Sequence, residues 1–353
     1  MFFRRKKETI GIDIGSSSIK VIQLSETEGR YTLEKFGIVA LPPEIIVDGT
    51  IMDSVRCVEA LQNVVKEQAI STRDAVISVS GHSVIVKRVT LPQMSEEELS
   101  ESIKWEAEQY IPFDINEVNM DFQILSTFVG PDGKQQMNVL LAAVKKDKLT
   151  DYTSLIIEAG LTPVIVDIDS FAIENMYNVN YEINEKETVA LINIGAGITN
   201  INILQGGMFA FTRDISIGGN RYTESLQKDL GLSYEDAERV KKGEDVEGVE
   251  SPDTETIIEN VSAEITSEIT RSFGYFKATM GSENIDKVIL SGGSSQIKNM
   301  DAFLQERLEL PVEFINPFRK IDIPPSFDAG YIKSITAIAP VAVGLGLRRL
   351  DDR

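Results

Sequence analysis

The chain has 353 residues, enough to bury a large core and long enough to favour two domains over one. Charged residues make up 25% and hydrophobic ones 42%, which excludes a disordered or fibrous chain. The formal net charge of −20 leaves no long basic stripe to neutralise phosphates, so a nucleic-acid surface is excluded while a local pocket for a free nucleotide is not.

The start, MFFRRKK, has no apolar segment after its charges, and no apolar run reaches the ~18 residues of a membrane span, so the chain is expected inside the cell. The Phe2–Lys7 cluster reads as a solvated terminus, too short to anchor alone, so membrane proximity must come from a partner. Strands follow at 9–14, 19–25 and 30–39. A helix at 53–68 carries the single cysteine, Cys57, as a small buried side chain suited to a reducing cytoplasm. Strands at 75–80 and 83–90 flank His82, a lone histidine read as a turn residue. Ser95 and Glu98 form a capping box for a helix through Trp105 to Tyr110, stopped by Pro112. Strands near 119–128 and 137–144, joined by a PDG turn, and a helix at 146–159 complete a compact inserted α+β unit.

A strand at 162–169 leads into a helix at 170–178, with Asp169 read as its N-cap. Strands from 188 and at 208–217 precede helices at 219–230, 234–242 and 256–280. The acidic segment GEDVEGVESPDTE between the last two reads as a solvated loop. A strand at 287–293, a helix at 298–308 and a small-residue helix around 334–349 end the chain. The expected units are 1–82 with 159–186 and 330–353, an insert at 83–158, and a second lobe at 187–329.

Two segments, IGIDIGSSSIKVIQL at 10–24 and VALINIGAGITNINIL at 189–204, share one design: strand, turn of small residues, strand. Laid on one another, Asp13 falls on Asn193, Gly15 on Gly195, Ser17 on Gly197 and Lys20 on Asn200. Small residues let successive backbone N–H groups point into one concavity that holds an anionic phosphate. Ser16, Ser17 and Ser18 add hydroxyls, Lys20 adds a point charge, and Asp13 is placed to hold a hydrated Mg2+ through water. Two such turns imply two facing half-sites.

These segments, in this order, resemble the actin-like ATPase superfamily: IGIDIGSSSIKV its first phosphate motif, INIGAGIT its second and ILSGGSSQI its adenosine motif. DIDSFAIENMY and IAPVAVGLGL resemble its two interdomain helices more loosely, with Asp169 matching the acidic position of the first, a role compatible with an N-cap. The insert sits where FtsA, the cell-division member, carries its extra subdomain. The wording GHSVIVKRVTLPQMSEEELSESIKWEAEQYIPFDINEVNMDFQIL, with PPEIIVDGTIMDS and NPFRKI, is similar to the PilM family of type IV pilus inner-membrane assembly. FtsA ends in a membrane-targeting amphipathic helix, whereas RRLDDR here reads as lacking one.

The resemblance implies an α/β actin-like fold, two lobes around a cleft for ATP or ADP with Mg2+, and the inserted subdomain. Gly15, Ser16, Ser17 and Lys20 would contact the terminal phosphates, with Asp13 beneath the metal; Gly195, Ala196, Gly197 and Thr199 would clasp them from the opposite lobe. Gly219, Gly292, Gly293 and Ser294 would approach ribose and phosphate, and Glu238 and Lys241 would line the nucleoside pocket; by themselves, acid and base three apart on a helix read as a solvated ion pair. It implies further a cytoplasmic protein, peripheral at the inner membrane through PilN, whose N-terminal cytoplasmic segment it binds beside the insert. Contact with the cytoplasmic pilus assembly ATPase and self-association are further implied partners. The strand Val84–Val89 and the helix bearing Ile103, Trp105 and Tyr110 are candidates for that groove, although Ile103 and Trp105 by themselves read as core.

One departure bears on mechanism. The second phosphate motif usually begins with Asp, and here the position is Asn193, whose amide cannot act as a general base and holds Mg2+ weakly. The expectation is a nucleotide-binding switch or scaffold, slow or inactive as an ATPase, in which Asn193→Asp raises turnover. The rival readings are an FtsA-like filament-forming ATPase and a small-molecule kinase on the same fold.

Overall fold

The computed structural model describes residues 8–280 and 284–350, so the Phe2–Lys7 cluster lies outside the described residues. The first sheet grows from β1 (Ile10–Ile14), β2 (Ser18–Thr27) and β3 (Arg30–Ala40). A small hairpin, β4 (Ile46–Val47) and β5 (Thr50–Ile51), leads to helix α1 (Ser54–Glu67) and strand β6 (Asp74–Val79). The insert comprises β7 (Val84–Pro92), α2 (Glu96–Ala107), β8 (Val118–Val129), β9 (Gln135–Lys145) and α3 (Lys146–Glu158). β10 (Thr162–Ile168) and α4 (Asp169–Asn180) return to the first sheet and lead to β11 (Thr188–Ile194), β12 (Thr199–Gln205) and β13 (Met208–Ile215). Helices α5 (Gly219–Leu230), α6 (Tyr234–Lys241) and α7 (Ser251–Met280) follow, then β14 (Lys287–Ser291), α8 (Met300–Leu308), β15 (Val312–Phe314), β16 (Ile321–Asp322), α9 (Ala329–Ile335) and α10 (Pro340–Leu347).

The first sheet runs β10-β6-β1-β2-β3-β16, the second β13-β12-β11-β14-β15, and the insert carries a third, β7-β9-β8. β1 pairs in parallel with β6 and β11 with β14, and both β1 and β11 are β-branched runs buried on their two faces, as central strands of a covered sheet must be. β16 pairs in parallel with β3 at the end of the first sheet.

Two helices tie the lobes. α10, PVAVGLGL, is buried on every side, between α4 and β1. A Cβ at Gly344 would lie 1.8 Å from the Ala172 carbonyl oxygen of α4, and one at Gly11 of β1 would lie 2.5 Å from the Gly346 nitrogen. Only missing side chains allow backbones this close. The single helix expected around 334–349 is instead two, α9 and α10, bent by 97°: Pro340 starts α10 at a position where its missing N–H costs nothing. No single helix among the described residues is long and apolar enough to cross a membrane.

The insert's helix α2 has its capping box, Ser95 accepting from the Glu98 N–H at 3.2 Å and Glu98 from the Ser95 N–H at 2.8 Å. It ends at Ala107, where a turn closed by Tyr110 N–H on the Ala107 carbonyl replaces its expected last residues. Ile103 packs in the insert's core as expected, but Trp105 does not: it is 78% exposed. α7 starts at Ser251, earlier than expected, with Pro252 in its first turn where proline is tolerated, which shortens the acidic loop. Asp169 is not the N-cap of α4; Ile168 holds that position and Asp169 is the first helical residue. Cys57 is buried, its thiol pushed up to about 11 by burial and then by Asp53.

Candidate nucleotide site

The two hairpin turns meet across a cleft of about 450 Å³ between the sheets. In each turn the glycine N–H closes the hairpin, Gly15 on the Ser18 carbonyl at 3.1 Å and Gly195 on the Ile198 carbonyl at 2.9 Å. Carbonyls of the second turn are tied to protein donors: Gly195 O accepts from Gly219 N–H and Ser294 Oγ, both at 2.9 Å, and Ala196 O accepts from Asn220 N–H at 2.8 Å. Among the described residues, the N–H groups of Ser16, Ser17, Ala196 and Gly197 have no protein acceptor. Ser16, Ala196 and Gly197 are half-buried and Ser17 is exposed at the cleft mouth, and successive N–H groups of small residues facing one concavity fit an anion. A Cβ at Gly197 would sit 3.0 Å from Ser16 Oγ, which shows how closely the turns oppose each other.

Behind each turn stands a cross-strand pair in the same register. Asp13 faces Lys20 in the first hairpin, and the Lys20 ammonium donates to the Asp13 carboxylate at 2.9 Å with both side chains buried. Asn193 faces Asn200 in the second, the Asn193 amide donating to Asn200 Oδ1 at 2.9 Å. The Asn193 Oδ1 lies 3.3 Å from Ser291 Oγ, whose hydroxyl also lies 3.2 Å from the Ile192 carbonyl oxygen. Asp13, Lys20, Asn193 and Asn200 all line the cleft.

Gly292, Gly293 and Ser294 follow β14 and form another wall. Gly292 has φ +93, and a Cβ there would lie 2.2 Å from the Ile194 carbonyl, so glycine is required. Gly219 and Thr199 lie outside the cleft lining: Gly219 braces the second turn through its N–H, and the fully buried Thr199 donates its hydroxyl to the Ile217 carbonyl at 2.7 Å. Glu238 and Lys241 line the cleft as a half-buried ion pair that also holds Thr223, which corrects their reading as a fully solvated pair; burial lowers the lysine pKa. Tyr234, Gln296, Ile297, Ile338 and Val341 complete that end with an apolar slot suited to a flat base.

Asp169, at the acidic position of the segment that resembles the first interdomain helix, lines the cleft. Asp169 accepts from Ser78 Oγ at 2.5 Å, and burial, then nearby Asp13, push its carboxyl up to about 6. With Asp13 it is one of the two aspartates in the cleft lining, whose carboxylate oxygens could hold a hard cation there. Lys148 and Tyr152 of α3 both donate to the carbonyl of Gly49 in the β4–β5 turn, at 2.7 and 2.9 Å, fixing that turn at the cleft. Burial lowers the Lys148 pKa, opposed by Asp169 and Asp214. Sequence spacing gives no sign of these residues, because the packing of α3 on the first sheet brings them in.

A second hollow of about 1220 Å³ lies between the insert and the second sheet. Its walls are β7 and β13, each the end strand of its sheet. Val84, Ile85, Val86, Phe209, Ala210 and Phe211 line it, with Lys87, Arg88, Arg213 and Arg271 as its cations. Of the expected groove residues, the β7 strand and Tyr110 reach this hollow, while Ile103 and Trp105 do not line it.

The model of the type IV pilus assembly protein PilM family matches residues 11–350. The cell division protein FtsA of Bacillus subtilis (strain 168) is 25% identical over 258 residues, 66% of this chain and 57% of FtsA, so the chain spans little more than half of that relative. A solved PilM–PilN type IV pilus biogenesis complex superposes with a TM-score of 0.87 at 25% identity, covering 99% of this chain and 100% of the other. MreB5 of Spiroplasma citri, solved with AMPPNP bound, superposes with a TM-score of 0.51 at 13% identity over 96% and 94% of the two chains, a likeness of fold alone. The fold is that of the actin-like ATPases, and the chain belongs to the PilM family of type IV pilus assembly proteins.

Proposed function

We propose that this chain is a nucleotide-dependent scaffold of type IV pilus assembly that holds ATP or ADP with Mg2+ between its lobes and docks the N-terminal cytoplasmic segment of a PilN protein. One observation carries the nucleotide half: two opposed turns whose N–H groups lack protein acceptors, backed by Lys20. The nucleotide seen in MreB5 of the same fold supports the reading. Lys20 and the free N–H groups would take the phosphates, Gly292, Gly293 and Ser294 the ribose side, and Glu238 and Lys241 the nucleoside, with Asp13 and Asp169 toward the metal. Asn193 offers no carboxylate to activate water, so turnover is slow or absent.

The partner half rests on the likeness to the PilM–PilN complex and on the hollow between β7 and β13. An extended segment can add to a free strand edge while its alternate side chains enter apolar pockets. Docking there would hold the chain peripherally at the inner membrane through PilN and leave its other faces to the cytoplasmic assembly ATPase or further copies. The units would divide near residues 82, 158, 186 and 329. Titrating a labelled PilN N-terminal peptide tests this. Binding that Val86→Asp abolishes while nucleotide retention stays intact supports the groove, and equal binding to both proteins removes it.

A further inference from the structure

The nucleotide cleft and the partner groove share a wall, and a row of polar side chains passes through it. Asn193 on β11, Asn200 on β12 and Asp214 on β13 are direct cross-strand neighbours in the second sheet. Asn193 and Asn200 line the cleft, whereas Asp214 lines the groove. Asn193 Nδ2 donates to Asn200 Oδ1 at 2.9 Å, and Asn200 Nδ2 donates to Asp214 Oδ1 at 2.8 Å. The other carboxylate oxygen, Asp214 Oδ2, accepts the backbone N–H of Gly81 at 2.6 Å. Gly81 belongs to the first lobe, in the turn that opens strand β7 of the insert, and beside it His82 bonds Ser216 across the same junction at 2.6 Å.

The row has a direction set by chemistry. Asp214 accepts through both oxygens, from the Gly81 N–H and from Asn200, so Asn200 turns its NH2 toward it and its oxygen toward β11; burial raises the Asp214 pKa, and the row runs this way with Asp214 in its carboxylate form. That oxygen needs a donor, which the Asn193 amide supplies. A carboxylate at 193 would instead set acceptor against acceptor. The amide therefore has a positive role here beyond the loss of a general base, and Asn193→Asp does not simply restore a catalytic carboxylate.

We propose that Asn193, Asn200 and Asp214 form a directed hydrogen-bond relay that couples nucleotide in the cleft to the Gly81 turn and so to the partner groove. The relay rests on the cleft reading given above. Coupling between sites is reciprocal, so nucleotide that orders the relay raises partner affinity by the same factor as partner raises nucleotide affinity. The residues act by positioning the turn at 195–198 and the turn at 81–83 relative to each other, not by touching reacting atoms.

Hydrogen–deuterium exchange on the full chain, with and without Mg2+ and ATP, tests the relay without any partner. In the wild type, nucleotide slows exchange at the Gly81 amide by at least about fivefold, the lower end of ordinary coupling. With nucleotide at saturation for each protein, Asn193→Asp abolishes that slowing. The double exchange Asn193→Asp with Asp214→Asn reverses the two side-chain bonds of the row, leaves the Gly81 N–H donating to residue 214, and restores the slowing, a rescue that a merely structural role would not give. Nucleotide retained with unchanged Gly81 exchange in the wild type overturns the relay, as does full slowing in the single variant or none in the double. Absence of retained nucleotide on the wild type instead removes the cleft reading itself, and the relay with it.

Discussion

The two phosphate hairpins put different chemistry at one cross-strand position. The first holds an ion pair, Asp13 and Lys20, and the second a pair of amides, Asn193 and Asn200. An ion pair offers charge to an anion and a metal, and its energy is insensitive to the orientation of the ammonium. An amide pair offers little charge but has a donor end and an acceptor end, so it passes orientation to the next strand. One half of the cleft is thus built for affinity and the other for connection, on the same backbone frame.

The largest break in this arrangement comes from the helix that seats the first hairpin. Gly344→Ala drives a Cβ into the α4 backbone, so it should cost about 3 kcal/mol or more of stability, read as a fall in the chemical-denaturation midpoint. Next comes the contact of α4 with the second hairpin. Glu174 of α4 has a buried Oε2 without a partner among the described residues, and burial pushes its carboxyl from 4.5 up to about 7. The protonated form is favoured in the folded state. Its contribution is therefore complete below pH 4.5 and lost as pH rises through about 7, a change of about 3 kcal/mol. Glu174→Gln should remove that part of the pH dependence of unfolding; an unchanged slope would place the proton elsewhere.

A smaller effect compares the hairpins directly. Lys20→Ala should weaken ATP binding roughly 10- to 100-fold, the worth of a charge-assisted contact, whereas Asn200→Ala should cost much less affinity by isothermal titration. Equal losses would erase the distinction between the two pairs. Trp105→Ala touches neither hairpin and removes an exposed side chain, so stability should change by less than about 0.5 kcal/mol. A large loss there would show that Trp105 packs on something in solution.

The hairpins were legible in sequence because their signals are local: alternating apolar strands and a turn of small residues fix both the backbone and the open N–H groups. The capping box of α2 was legible for the same reason. Lys148, Tyr152 and Asp214 were not, since each is a single residue whose place depends on which helix or strand packs beside it. The break before α10 carried a readable sign in Pro340, but the run of small apolar residues around it outweighed it. Thr199 lies one residue past the turn, where strand alternation turns its side chain inward to Ile217. Trp105 shows the converse limit, a large aromatic at near-core spacing that the helix presents to solvent.

The most direct test of the account loads purified protein with Mg2+ and ATP, isolates the complex and quantifies bound nucleotide on wild type and Lys20→Ala. Stoichiometric retention on the wild type with strong loss on the variant is the predicted result. No retention on the wild type, or equal retention on both proteins, would contradict a phosphate site between the two hairpins.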